Sequence, residues 1–210
     1  RVFVMHVLLI NGSPHEKGCT YTALSLVAGE LNAAGITTEI LNVGTKPVGG
    51  CIGCGGCAKG NGCVFGGVVN EAIEKARTAD AFVFGTPVHY ASASGNMTSF
   101  MDRLAYAGGK YLAYKPAAIC ASARRAGTTT TLDQLVKYPE FFHMPLVSGS
   151  YWPMVHGSKP EQVLEDEEGC AVMRELGRNM AWLLKCIELG RENGITHPEN
   201  PRRPMTNFIR

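Results

Sequence analysis

Apolar residues in this chain recur with two alternating periods. Leu24, Val27, Ala28 and Leu31 fall at i, i+3, i+4 and i+7, one face of a helix. Val69, Ala72, Ile73 and Ala76 repeat the stripe, and so do Met97, Phe100, Met101 and Leu104. Between these faces stand short apolar or β-branched runs at Met5–Ile10, Thr37–Val43, Ala79–Gly85, Pro116–Ala121 and Met144–Val147, which predict strands. Gly35 ends the first helix. A further helix is expected over Thr130–Tyr138. A long one runs from about Pro160 to Gly190, with Met173, Leu176, Met180, Leu183 and Ile187 on one face.

Strands that alternate with helices predict an α/β domain: a parallel sheet covered by helices on both faces. Five strands fit the flavodoxin-like doubly wound order 2-1-3-4-5. No internal repeat or linker divides the chain. Residues 1–195 are read as one domain, and residues 196–210 as an extended arm holding Pro198, Pro201 and Pro204. The stretch 44–67 has no period and is rich in Gly and Cys. A structureless loop of that length inside a compact domain is usually functional.

Composition adds constraints. The 210 residues carry 20 Lys and Arg against 18 Asp and Glu, and no basic stripe, which argues against nucleic acid or an anionic membrane as partner. No apolar run approaches the length of a bilayer span. The apolar start ends in Asn11-Gly12-Ser13-Pro14 without a small-residue cleavage site. It reads as a first strand with Met5 as the natural start. Eight cysteines without a secretory signal suggest a reducing cytoplasm. Cys120 and Cys186 are read as fillers of a strand and a helix.

In a doubly wound sheet, ligands sit beyond the carboxyl ends of the strands, so the loops after strands one, three and four should converge. The first loop supplies Ser13, Thr20, Tyr21 and Thr22 at a helix N-terminus, where phosphate binds well. It has neither the Walker order nor the G-x-G-x-x-G order. The plainer reading is an ordinary connection capped by Thr20 or Thr22. The second loop, with Pro87, Val88, His89 and Tyr90, places an aromatic pair where a flat ring could be covered. The alternative is that Tyr90 packs locally and His89 is a surface residue. The third loop, Ser122 to Thr128, carries Arg124, Arg125 and Gly127. Its arginines suit an anion or a reduced ring; solvated surface is the alternative. No acid–base dyad stands out, so no catalytic residue is assigned.

The cysteine run is Cys51, Cys54, Cys57 and Cys63, spaced C-x2-C-x2-C-x5-C. The spacing resembles ferredoxin-type runs that ligate iron. Structural zinc uses pairs set further apart. A C-x-x-C pair also permits a redox disulfide, and four idle thiols are the remaining reading.

Asn11-Gly12-Ser13-Pro14, the Gly85-Thr86-Pro87-Val88 turn and Phe100-Met101-Asp102-Arg103 together resemble the NADPH-dependent FMN reductase family, from about Met5 to Val147. The resemblance implies FMN, with its phosphate on the Ser13–Thr22 loop and its ring against Pro87 to Tyr90. It implies that Ser122 to Thr128 closes the other side. The four-Cys run is similar to the compact motif of the iron–sulfur flavoproteins, which implies a [4Fe–4S] cluster held by Cys51, Cys54, Cys57 and Cys63. Two departures stand out: Val64-Phe65 follows the fourth Cys, where consecutive Asp are frequent, and His15 occupies a position where Arg is common.

The expected protein is therefore a cytoplasmic FMN oxidoreductase that takes electrons from NAD(P)H and passes them to a small acceptor or, through a cluster, to a redox protein. A carrier flavoprotein without its own substrate is the alternative, and a thiol or zinc protein without flavin a further one. The resemblance also implies a homodimer with its interface near the flavin edge. The tail, ending Met205-Thr206-Asn207-Phe208-Ile209-Arg210, is a candidate cover.

Overall fold

A computed structural model describes residues 4–199 together with Pro204, Thr206 and Phe208. The chain runs β1 (His6–Asn11), α1 (Cys19–Ala33), β2 (Thr37–Asn42), α2 (Val68–Thr78), β3 (Ala81–His89), β4 (Ser92–Ala93), α3 (Gly95–Gly108), β5 (Ala117–Ala123), α4 (Thr128–Phe141), β6 (Met154–His156), α5 (Pro160–Glu165) and α6 (Glu167–Glu192). The first three helical stripes pack as the periodicity predicts, with Leu24, Val27, Ala72, Ile73 and Phe100 all buried.

Parallel ladders join β1 to β2 and β3, β3 to β5, and β5 to β6. The sheet has six strands in the order β2-β1-β3-β5-β6, with β4 antiparallel to the end of β3. The doubly wound α/β architecture holds, but the expected five-stranded order 2-1-3-4-5 is corrected. The two-residue β4 is too short to leave a pattern in the sequence. Its turn places Tyr90 and Ala91 at φ 50° and 58°, a left-handed pair that matches the twist of a tight hairpin.

A second correction concerns the last strand. The apolar pattern predicts it at Met144–Val147, yet this segment makes only an isolated bridge, Ala117 to Leu146. The sheet ends instead on Met154–His156. The long helix expected from Pro160 to Gly190 is two helices. Asp166 breaks it, because its carboxylate accepts the Gly169 N–H at 2.9 Å and so starts α6.

Side chains alternate across the sheet as a period of two requires. Leu8, Ile10, Phe82 and Phe84 face a core closed by α2, α3 and α4. Val7, Leu9, Ala81 and Val83 face the core under α1 and α6. Cys120 belongs to the second core, and burial pushes its thiol up to about 12. Cys186, expected as a filler, is exposed. Beyond α6, the His197 ring stacks on Tyr114 with centroids 4.3 Å apart. Of the tail proposed as a cover, Met205, Asn207, Ile209 and Arg210 lie outside the described residues, and Phe208 is exposed. Among the described residues no helix is long and apolar enough to cross a membrane.

Candidate functional site

The three strand-end loops meet. Thr20 Oγ1 and Ser122 Oγ lie 2.8 Å apart and buried, joining the first loop to the third. Gly12 N–H donates to Gly85 O at 2.8 Å, and Ser94 Oγ donates to Gly12 O at 2.8 Å, joining the first loop to the β3–β4 hairpin. Gly127 closes the circle. A Cβ there would stand 2.6 Å from Ala91 Cα and 2.9 Å from Val88 Cγ1, and its φ is +98°. Only glycine fits that approach without strain.

The first loop does not end in a threonine cap. Gly18 is the N-cap of α1, no side chain caps the helix, and no acidic residue stands in its first turn. Thr22 Oγ1 instead donates back to Gly18 O at 3.1 Å. The helix end therefore offers backbone N–H groups to an outside acceptor. Ser13 is buried, and its Oγ accepts the His15 N–H at 3.1 Å, which leaves its own proton to give. Tyr21, Pro87 and Val88 are half-buried around this junction, while His89, Tyr90, Arg124 and Arg125 are exposed.

Sequence reasoning missed the brace behind the third loop. A His156 ring nitrogen lies 3.1 Å from Arg125 O, and the His156 backbone N–H donates to Asp166 Oδ2 at 2.7 Å. The loop is thereby tied to the start of α6. A polar residue ending a short strand gave too little pattern to find it.

The cysteine loop lies between β2 and α2. Cys51, Cys54, Cys57 and Cys63 line one cavity of about 260 Å³, together with Phe65 and Arg103. Cys51 and Cys54 are exposed, whereas Cys57 and Cys63 are half-buried. Among the described residues, no three His, Cys, Asp or Glu side chains gather closely enough to hold a single metal ion. Helix-borne side chains fix the loop. Asn96 accepts the Val48 N–H at 3.1 Å and donates to Gly44 O at 3.0 Å. Asn70 accepts the Cys63 N–H at 2.8 Å and donates to Cys63 O at 3.0 Å. Arg103 Nε donates to Cys63 Sγ at 3.2 Å. The sequence carried a signal for Arg103: it sits between Phe100 and Leu104 on a face that is otherwise core.

A family model described as NADPH-dependent FMN reductase matches residues 5–159. The chain is similar to an iron-sulfur flavoprotein of Methanocaldococcus jannaschii, 28% identical over 193 residues that cover 88% of this chain and 100% of the relative. In fold it is similar to an NAD(P)H:quinone oxidoreductase from Methanothermobacter marburgensis, with a TM-score of 0.64 and 18% identity, covering 85% of this chain and 98% of the other. It is also similar to a flavodoxin from the domain Archaea, with a TM-score of 0.60 and 13% identity, covering 86% and 99%.

Proposed function

Because the chain belongs to the NADPH-dependent FMN reductase family and is a flavoprotein oxidoreductase, we propose that it takes electrons from NAD(P)H and passes them on through a [4Fe–4S] cluster or directly to a small acceptor. When bound, FMN supplies hydride-accepting and one-electron chemistry, and the cluster a one-electron store. The observation that carries the reading is the buried contact of Thr20 with Ser122, which brings two strand-end loops to one point.

Each group of residues has a part. Ser13 and the first-turn N–H groups of α1 bind the phosphate of FMN. Pro87 to Tyr90 cover the ring on one side, and Ser122, Arg125 and Gly127 close the other. Arg124 and Arg125 bring positive charge to that rim. Cys51, Cys54, Cys57 and Cys63 supply soft sulfur donors, which suit iron–sulfur clusters and zinc. A single zinc ion requires its sulfur ligands about 2.3 Å away. A cluster takes its thiolates on separate irons, and all four cysteines line one cavity. The further proposal is a homodimer whose interface shields the flavin edge.

The test is anaerobic purification, a visible spectrum, iron and sulfide analysis, and steady-state oxidation of NADH and NADPH. Flavin absorption with about four iron atoms per chain is the expected result. Zinc without iron would sink the cluster, and a colourless protein would sink the flavin. Bound flavin that no nicotinamide reduces would favour the carrier reading.

A further inference from the structure

We propose that Arg103 is the counter-charge and strap of the cysteine loop, a positioning residue that holds Cys63 and offsets the negative charge of whatever the four cysteines bind. The proposal rests on the reading that they hold an iron–sulfur cluster. Arg103 is 6% exposed. Burying a guanidinium is costly unless it is paired. Among the described residues, its acceptors are Cys63 Sγ at 3.2 Å, Gly49 O at 3.3 Å and Gly66 O at 3.0 Å. None is a carboxylate. The neighbouring Asp102 is turned away, accepting the Tyr138 hydroxyl at 2.6 Å. The Phe65 ring stands 5.5 Å from the guanidinium carbon and shields it further.

Two carbonyl dipoles do not neutralise a full positive charge. The third acceptor is Cys63 Sγ, on the side where a bound cluster would bring negative charge. The three contacts also have a mechanical sense. Gly49 precedes the first cysteine and Gly66 follows the last, so one side chain on α3 closes both ends of the loop. A planar fork with five N–H donors can do this, whereas an ammonium cannot reach all three acceptors in the same way. Hydrogen bonds to ligand sulfur and nearby charge both tune cluster potentials. Each electron that enters adds one negative charge, and a fixed cation makes that addition easier.

The experiment compares full-length wild type, Arg103→Lys and Arg103→Met after anaerobic reconstitution with iron and sulfide. FMN absorption reports folding, iron and sulfide report loading, and a dithionite titration followed by electron paramagnetic resonance reports the midpoint potential. Arg103→Met should keep FMN, hold less iron, and shift the potential of the remaining cluster downward by at least tenfold in the one-electron equilibrium, about 59 mV. Arg103→Lys should restore most of the potential but not the full iron content. Equal iron content and potential in Arg103→Met and wild type would overturn the proposal. Wild type that takes up no iron would overturn the cluster reading itself, a result distinguishable because it needs no variant. If the variants lose FMN, wild type carrying [15N]arginine decides the matter. Pulsed resonance of its reduced cluster should detect a 15N coupling, and the absence of one would overturn the assignment.

Discussion

The junction of the strand-end loops is held by backbone groups and small hydroxyls, whereas the cysteine loop is held by amide and guanidinium side chains reaching in from helices. At the junction, Gly12 bonds Gly85 and Thr20 meets Ser122, both at 2.8 Å, wherever the sheet places them. In the cysteine loop, Asn70, Asn96 and Arg103 impose a shape on a segment with little regular structure of its own. The first arrangement follows from topology; the second depends on individual side chains. The two regions should therefore fail separately.

The largest effect is expected at Gly127. Gly127→Ala forces a side chain into a left-handed position and against the Ala91 backbone. Strain and overpacking together should cost about 2 kcal/mol or more. FMN affinity should fall while the iron taken up on reconstitution stays near the wild-type level. Flavin fluorescence titration and iron analysis on the same sample check this; parallel losses would mean that the regions are coupled.

Asn70→Ala should act in the opposite sense. It removes both hydrogen bonds to the Cys63 backbone. Two such bonds contribute about 1–3 kcal/mol. Amide exchange should accelerate around Cys63 with FMN affinity unchanged. Equal protection in the two proteins would remove Asn70 from the account.

The smallest effect sharpens the contrast between core and loop cysteines. Burial pushes the Cys120 thiol from 9.0 up to about 12. The neutral thiol is thus favoured in the fold, so its contribution to stability is complete below pH 9.0 and is lost as the pH rises to about 12. In native apoprotein at about pH 8, just below the ordinary thiol range, an aromatic disulfide reagent should modify exposed Cys51, Cys54 and Cys186 but not Cys120. Peptide mapping would reveal a modified Cys120 if its burial were less complete.

Legibility in the sequence followed burial and length. The stripe from Val69 to Ala76 was readable because four core contacts repeat along one helical face. β6 was not readable, since Met154–His156 is only three residues long, and the apolar Met144–Val147 nearby looked more like a strand. The loops of the candidate site were readable from strand order. Their internal bonds were not, because Thr20 and Ser122 are 102 positions apart. Arg103 lay within the segment that carried the family resemblance, but its role depends on carbonyls at Gly49 and Gly66 that no local pattern connects to it.

Helix α3 is capped by Ser94, whose hydroxyl holds the first loop, and carries Arg103 about nine positions later at the cysteine loop. At the rise of an α-helix, those positions are about 14 Å apart along the axis. One rigid rod therefore gauges the interval between the strand-end junction and the cysteine loop. Fluctuations of either loop leave that interval nearly constant, and only a residue inserted into or deleted from the rod would reset it, rotating one anchor out of line with the other.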